Sequence, residues 1–364
     1  MPPISENNQI FPSVPLIEVG DLVVGGSESS GPNKALKPLT DRTAYNKAQI
    51  DSIVANSTNL IVGTDVQAWD TDLDAISALT GNGLIRRTGT GTVQLVTSWV
   101  DPSVAGGRLS LAAGDSFSSG DVIDANRLYY TPHTGASIAL RSGNEWVLVP
   151  FVESSVSLAT LAANTIFDVF IYLNGASLAF ELQSWASLTA RSVALTKQNG
   201  VWCKLGDATR RYVGSIRIGT AGTCTSSQER RYLFNANHRL PHIVRRKPVS
   251  SSWNAVGTGW RAADGDNDNR IQILCGLRET MLDLNVLGSA SNNAKLGISV
   301  NTVAPASQDF GVGVSDATQT TMIGSIYREV PRLGHSFYQM VEQSQDGTSS
   351  FDGDNLALSG LWWC

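Results

Sequence analysis

The spacing of hydrophobic residues changes character along the chain, and its first regular stretch has a heptad pattern. Eight positions alternate steps of three and four: Leu36, Leu39, Thr43, Asn46, Ile50, Ile53, Ser57 and Leu60. Three of them are polar, and Thr43 and Asn46 would set register and strand number in a coiled coil. A lone helix of this length is marginal in water. We therefore predict a coiled coil over residues 34–60, with an amphipathic helix packed on its own chain as the alternative.

The next stretch, residues 61–98, joins a short helical pattern to a glycine-punctuated segment. Trp69, Leu73, Ile76 and either Leu79 or Thr80 fall on one helical face. Turns are then indicated by Gly81, Gly83, Gly89 and Gly91. The stretch predicts a helix plus a β-hairpin, which together are too small to fold without partners.

Beyond a Pro- and Gly-rich hinge at 99–107, the apolar residues alternate with a period of two. Residues 137–141 and 145–151 flank a Ser-Gly-Asn turn, and 166–173 and 176–182 flank Asn174-Gly175. Asn-Gly between two alternating runs is a strong hairpin signal. These patterns predict a β-sandwich domain at 104–245. Short runs at 270–276, 280–287, 295–300 and 336–341 predict a second antiparallel domain at 246–364, of sandwich or jelly-roll type.

The N-terminal 33 residues have a different composition, with five prolines and only short apolar clusters. Such a segment cannot form a core of its own. We predict an extended attachment segment over residues 1–33 that becomes ordered by docking on another protein. Disorder is the alternative.

Composition restricts the partners of the chain. Only 16% of its residues are charged, 42% are hydrophobic, and the formal net charge is −5. A chain of this charge has no basic patch for a phosphate backbone, so we expect no nucleic-acid partner. It lacks an 18-residue apolar run and a secretory signal, so we expect no membrane insertion and synthesis in a cytoplasm. The four cysteines lack zinc-site spacing, and we predict neither a metal nor a cofactor.

Three segments resemble parts of bacteriophage tail fibres. The Asp-rich helix at 69–76, followed by Gly83-Leu84-Ile85-Arg86-Arg87-Thr88-Gly89-Thr90-Gly91-Thr92, resembles a fibre shaft module. The N-terminus resembles a fibre attachment end at Leu16-Ile17-Glu18, Asp21, Gly25-Gly26, Asn33, Leu36, Leu39 and Arg42-Thr43. Residues 206–217 and 230–239 resemble a β module of phage structural proteins, with Phe234-Asn235 in place of its usual Trp-Asn pair.

This resemblance implies a mainly β protein with a short N-terminal coiled coil and a shaft-like module, followed by two antiparallel β-sandwich or jelly-roll domains. It implies a homotrimer in the tail of a virion. The N-terminus would attach to a tail or baseplate protein, and residues 246–364 would contact a polysaccharide or protein receptor on the host surface. A purely structural capsid fibre or baseplate connector is one alternative.

Common catalytic motifs are absent from the sequence, so we expect no enzymatic activity. A fibre that cleaves polysaccharide is the alternative from the enzyme class, because paired carboxylates need closeness in space rather than in sequence. The last domain offers the acids for such a pair: Asp264, Asp266, Asp268, Asp283, Asp352 and Asp354.

The candidate receptor site lies in the last domain, where tryptophans occur beside an acidic loop. Aromatic rings and carboxylates together are typical of sugar-binding surfaces, although core packing is the usual role of a tryptophan. The candidate residues are Trp253, Trp260, Asp264, Asp266 and Asp268. Residues 264–269 also begin like a calcium loop, but Asn269 and Cys275 occupy the places of its glycine and its bidentate glutamate. Whether this loop binds a metal ion is left open.

Overall fold

The computed structural model describes residues 31–58, 71–80, 84–96, 100–118, 120–303, 313–315, 319–345 and 347–364. The chain divides into two compact units, Met1–Trp99 and Val100–Cys364, which are described separately. Strands dominate the described residues, so the prediction of a mainly β protein is confirmed. Most of the predicted attachment segment, residues 1–30, lies outside the described residues.

In the first unit, helix α1 spans Gly31–Thr58. It begins three residues before the predicted coiled coil and contains Pro38, where the helix loses one backbone hydrogen bond. Leu39, Ile50 and Ile53 of the heptad are 46%, 59% and 67% exposed. Leu60 lies outside the described residues. The apolar stripe is thus uncovered along the described part of α1, and the coiled coil stays a prediction.

A short helix and a hairpin follow in the same unit: α2 at Thr71–Ser77, β1 at Leu84–Gly89 and β2 at Thr92–Val96. Asp72 connects them, because its Oδ1 accepts the Gly91 N–H at 2.5 Å and its Oδ2 lies 2.7 Å from Arg87 Nε. Leu73 and Ile76 remain exposed, and Trp69 lies outside the described residues. The helix and hairpin occur where they were predicted, whereas the shaft module remains a prediction.

The second unit consists of strands and one short 3-10 helix at Ala263–Gly265. Its first strands are β3 Gly107–Ser110, β4 Val122–Ala125, β5 Arg127–Pro132, β6 Ser137–Ser142, β7 Glu145–Pro150, β8 Ser154–Ser157, β9 Thr165–Asn174, β10 Ser177–Ser184, β11 Leu195–Gln198, β12 Val201–Lys204, β13 Asp207–Ile218, β14 Cys224–Ser226, β15 Arg230–Arg231 and β16 Leu233–Asn235. Those that follow are β17 Pro241–Arg246, β18 Ser252–Val256, β19 Arg261–Ala262, β20 Arg270–Cys275, β21 Leu282–Ser291, β22 Ala294–Val300, β23 Gly313–Val314, β24 Thr321–Glu329, β25 Gly334–Ser344 and β26 Thr348–Trp363.

Four sheets form among the described strands of this unit. The largest has 14 strands along the order β10-β9-β13-β14-β15-β20-β25-β22-β23, with β4, β11, β12, β16 and β19 on its branches. A five-stranded sheet has the order β17-β26-β21-β24, with β18 also on β26. The others are β3-β5-β8 and β6-β7. The pairs are antiparallel except for β15 with β20, which is parallel.

Both predicted hairpins of the first β region are present. Strand β6 pairs with β7 across Gly143-Asn144, and β9 pairs with β10 across Gly175-Ala176. Asn174 pairs with Ser177, so the turn lies one residue later than Asn174-Gly175. Gly175 has a φ of 62°, a left-handed conformation that glycine adopts at no steric cost.

Two hydrophobic clusters lie on opposite faces of the large sheet. Phe170 on β9 joins a cluster with the inner face of the five-stranded sheet, including Leu358 and Trp362. Val169 and Ile171 on the other face of β9 join a second cluster with the small sheets. Because β9 is covered on both faces, its sequence is a nearly continuous apolar run.

The predicted division at 245/246 is therefore not a division of this structure. Residues 100–364 form one compact unit, and β15 from the first predicted domain pairs with β20 from the second. Strand β17 likewise pairs with the C-terminal part of β26. Local alternation predicts strands but does not say which of them share a sheet. Truncation at 245 would expose the core instead of isolating a domain.

Candidate functional site

Two of the predicted site residues meet at the buried carboxylate of Glu342. Trp253 on β18 donates its Nε1–H to Glu342 Oε2 at 2.6 Å, and the Asp264 backbone N–H lies 3.3 Å from the same oxygen. Arg261 Nε donates to Oε1 at 2.9 Å. Burial raises the pKa of the Glu342 carboxyl, and the hydrogen bonds and charge of these neighbours oppose that rise.

Trp253 is half-buried and packs with another ring. It stacks on Phe351 with centroids 5.6 Å apart and planes 7° apart, so Phe351 occupies one of its faces. Trp260, which precedes β19, is also half-buried. Trp253 also packs against the larger hydrophobic cluster, so much of its surface is used within the protein.

The carboxylates of the acidic loop have different partners. Asp264, with a φ of 60°, accepts a hydrogen bond from Ser250 Oγ at 2.5 Å. Asp266 Oδ1 accepts the Asp268 N–H at 2.8 Å, and Asp268 Oδ1 lies 3.5 Å from Arg270 Nη2. Within the described part of the chain, no three His, Cys, Asp or Glu side chains are arranged to hold a metal ion. The calcium-like spacing in the sequence does not bring these carboxylates to one point.

Arg246, which sequence reasoning missed as a site residue, connects this loop to a neighbouring surface. Its Nε donates to Asn269 Oδ1 at 3.2 Å, and its Nη2 lies 3.7 Å from Asp266 Oδ2. On the other side, its Nη1 lies 2.8 Å from Glu229 Oε1. Arg246 is largely covered while the flanking Arg245 and Lys247 are exposed. The alternation of β17 explains this difference, because successive side chains point to opposite faces.

The surface beyond Arg246 is a groove of about 540 Å³, which we call the polar groove. It is lined by Asp121, Ile123, Gln228, Glu229, Arg245 and Lys247, together with Ser227. Its volume lies within the roughly 300–1,000 Å³ that small-ligand sites occupy in proteins.

Backbone contacts hold the walls of the polar groove together. The Gln228 N–H donates to Asp121 Oδ1, and the Arg245 N–H donates to the Gln228 carbonyl, both at 2.9 Å. Lys247 Nζ donates to the Asp354 carbonyl at 2.9 Å. Because the groove combines segments about 100 residues apart, the sequence signals only its basic cluster at 245–247.

Elsewhere in the unit, buried polar groups serve the fold. Arg108 donates to the carbonyls of His238, Ser116 and Cys364 at 3.1, 2.8 and 2.6 Å. The side chain of Asn235 pairs with both backbone groups of Leu109, accepting from its N–H at 2.7 Å and donating to its carbonyl at 3.3 Å. Asn235 belongs to the Phe-Asn pair of the sequence motif, and its role here is to hold strand β3.

No helix in the described part of the chain is long and apolar enough to cross a membrane.

Comparisons with known proteins give little. No family model and no curated protein matches the chain. Among solved structures, it is similar at 9% identity to a glycoside hydrolase family 43 arabinoxylan arabinofuranohydrolase from Bacillus subtilis, with a TM-score of 0.21, over 74% of this chain and 56% of that one. It is also similar at 9% identity to the Cry4Aa toxin from Bacillus thuringiensis, with a TM-score of 0.17, over 65% of this chain and 49% of that one. At these TM-scores neither similarity carries an argument about fold or function.

Proposed function

We propose that the chain is a homotrimeric phage tail fibre or a related receptor-binding appendage of a virion. The first unit attaches it to a tail or baseplate protein, and the second unit contacts a polysaccharide or protein on the host surface. The observation that carries this proposal is the uncovered heptad stripe of α1, together with the fibre-like motifs around it. Leu39, Ile50 and Ile53 are exposed in the single chain, and the seam of a coiled coil would bury them.

The second unit also has an apolar surface suited to subunit contact. On the outer face of the five-stranded sheet, six large side chains are exposed: Ile243, Leu287, Met322, Ile326, Leu361 and Trp363. Exposed apolar side chains gathered on one sheet face support the proposal that this face is an interaction surface. The polar side chains between them are paired within the chain, as in the Arg328–Asp283 pair at 2.9 Å. Burial against another subunit would leave that pair intact.

The proposed trimer gives a direct prediction of mass. Light scattering on the purified full chain at micromolar concentration is expected to give three times 38.8 kDa. A double variant, Ile50→Asp with Ile53→Asp, places charges in the seam and is expected to yield monomers, because a coiled-coil seam excludes unpaired charge.

The matched control carries the same two added charges outside the seam. Ser52→Asp with Ala55→Asp changes positions that the heptad assigns to the outer side of the helix, and it should remain trimeric. A monomeric wild-type chain, or equal dissociation of the two double variants, would contradict the coiled coil.

A further inference from the structure

We propose that the polar groove binds an anionic saccharide, with Arg245 and Lys247 contacting its carboxylate or phosphate group. The proposal rests on the receptor-binding function and names its ligand class. It places the receptor contact in the polar groove, which Arg246 connects to the acidic loop, and not on Trp253 and Trp260.

The cations of the groove keep donors for a ligand: Lys247 uses one ammonium N–H on the Asp354 carbonyl, at 2.9 Å, and an ammonium group has three. Glu229 is engaged by Arg246 at 2.8 Å, and Asp121 accepts the Gln228 N–H at 2.9 Å. Neither Arg245 nor Lys247 forms an ion pair with any residue that the structure describes, and both are exposed. Arg246, which does not line the groove, offsets the charge of Glu229. An oxyanion in the groove therefore meets two exposed cations, with one of its two acids already paired.

The rest of the lining is suited to a sugar. Gln228, Ser227 and Asp121 offer amide, hydroxyl and carboxylate groups that can exchange hydrogen bonds with sugar hydroxyls. Ile123, 59% exposed, offers an apolar surface to the carbon face of a ring. A nucleic-acid strand would need a longer row of cations than this groove holds, and the net charge of −5 opposes its approach.

The test is calorimetric titration of the full-length protein with defined probes. Tetragalacturonate supplies sugar carboxylates, mannose 6-phosphate supplies a sugar phosphate, and maltotetraose is a neutral counterpart. Inorganic phosphate tests the anion without a sugar. At least one anionic sugar is expected to bind about tenfold or more tightly than maltotetraose and inorganic phosphate, since one charge-assisted contact contributes about that factor. Binding should weaken as salt is added.

Variants assign the binding to the groove. Arg245→Ala with Lys247→Ala is expected to weaken binding of the anionic sugar by about tenfold or more. Arg278→Ala with Arg332→Ala removes two exposed cations elsewhere in the same unit and should leave the affinity unchanged. Circular dichroism melting of both variants checks that each is folded as in the wild type.

Several outcomes would overturn the proposal: no anionic sugar binding at millimolar concentration, equal binding of maltotetraose, equal binding of inorganic phosphate, or equal weakening in the two double variants.

A separate assay tests the groove and the receptor-binding function independently of each other. Labelled wild-type and groove-variant proteins are applied to a panel of bacterial strains. Equal cell binding by both would reject the groove as the receptor contact and leave the receptor-binding function standing. Binding of an anionic sugar without binding to any strain would reject the receptor-binding function and leave the groove as a saccharide site.

Discussion

Replacing Asp168 by asparagine is expected to lower the free energy of unfolding by about 3 to 5 kcal/mol, because it leaves a largely buried arginine without its counterion. Asp168 on β9 is buried, and Arg191 binds both of its oxygens, from Nε at 2.6 Å and from Nη2 at 3.1 Å. Ser215 Oγ donates to the same carboxylate at 2.7 Å. Urea denaturation of the wild type and the variant measures the difference.

The control is a carboxylate of the same type in an exposed ion pair. Asp268 Oδ1 lies 3.5 Å from Arg270 Nη2, away from the outer face of the five-stranded sheet, and the Asp268 side chain is 65% exposed. Asp268→Asn is expected to cost about 1 kcal/mol or less, as exposed pairs do. If the two variants lost the same stability, the buried Asp168–Arg191 pair would not be the determinant proposed here.

The second large effect is a loss of stability in mild acid that depends on His242. Burial lowers the pKa of His242 to about 3, and the charges of Arg231 and Arg108 add to this effect. Its Nε2 lies 3.2 Å from Arg108 Nη2, so the neutral ring accepts a hydrogen bond from the arginine. In the unfolded chain the same imidazole takes up a proton near its ordinary pKa of 6.5.

The folded pKa is therefore below the unfolded one, and the unfolded state binds more protons between these values. The contribution of His242 is fully present above pH 6.5 and is lost progressively as the pH falls toward 3. The loss is at most about 1.4 kcal/mol per pH unit, the value for uptake of one proton on unfolding. Urea denaturation midpoints of the wild type, recorded at about pH 7.5, 6.5, 5.5 and 4.5, measure this loss of stability.

His242→Gln separates this contribution from those of the carboxylates and of His335, whose pKa burial also lowers to about 3. The glutamine amide oxygen can accept from Arg108 but does not take up a proton in this range. The stability of the variant is expected to decline less steeply than that of the wild type between about pH 6.5 and about pH 4.5. An unchanged slope would mean that His242 does not govern acid sensitivity.

The parts of the fold that sequence predicted best are local. The β6–β7 and β9–β10 hairpins are set by apolar runs on either side of a short turn, and both are present. Strands β20, β22 and β25 also lie where short apolar runs predicted them. Pairing between distant segments was beyond such reasoning, because nothing local indicates that β15 will run parallel to β20.

Strand β26 is an element that the sequence patterns did not predict. It spans Thr348–Trp363 and carries the polar run Asp352-Gly-Asp-Asn355, which is typical of a turn. On the neighbouring strand β21, Ser289 lies opposite Asp352 and Leu287 lies opposite Ala357. The polar run therefore has no partners in the ladder and forms a bulge. Asp352 stabilises the bulge by accepting from the Asn355 side chain at 2.6 Å. The remainder of β26 supplies the buried Leu358 and Trp362.

The candidate site was predictable only in part. The acidic loop at 264–269 was singled out from its sequence, and it does lie next to a surface groove through Arg246. The choice of Trp253 followed from residue type, whereas its stacking on Phe351 depends on strand pairing between β18 and β26. Asp121 and Gln228 carry no motif, and only the tertiary fold brings them beside Arg245.

The most direct test of the proposed function is to locate the second unit on the virion. Gold-labelled antibody raised against residues 100–364 is applied to particles released from cells that produce this chain, and the particles are imaged by electron microscopy. The account predicts label at the outer ends of tail fibres, away from the particle body. Label on the capsid, at the base of the tail, or on no particle would contradict it.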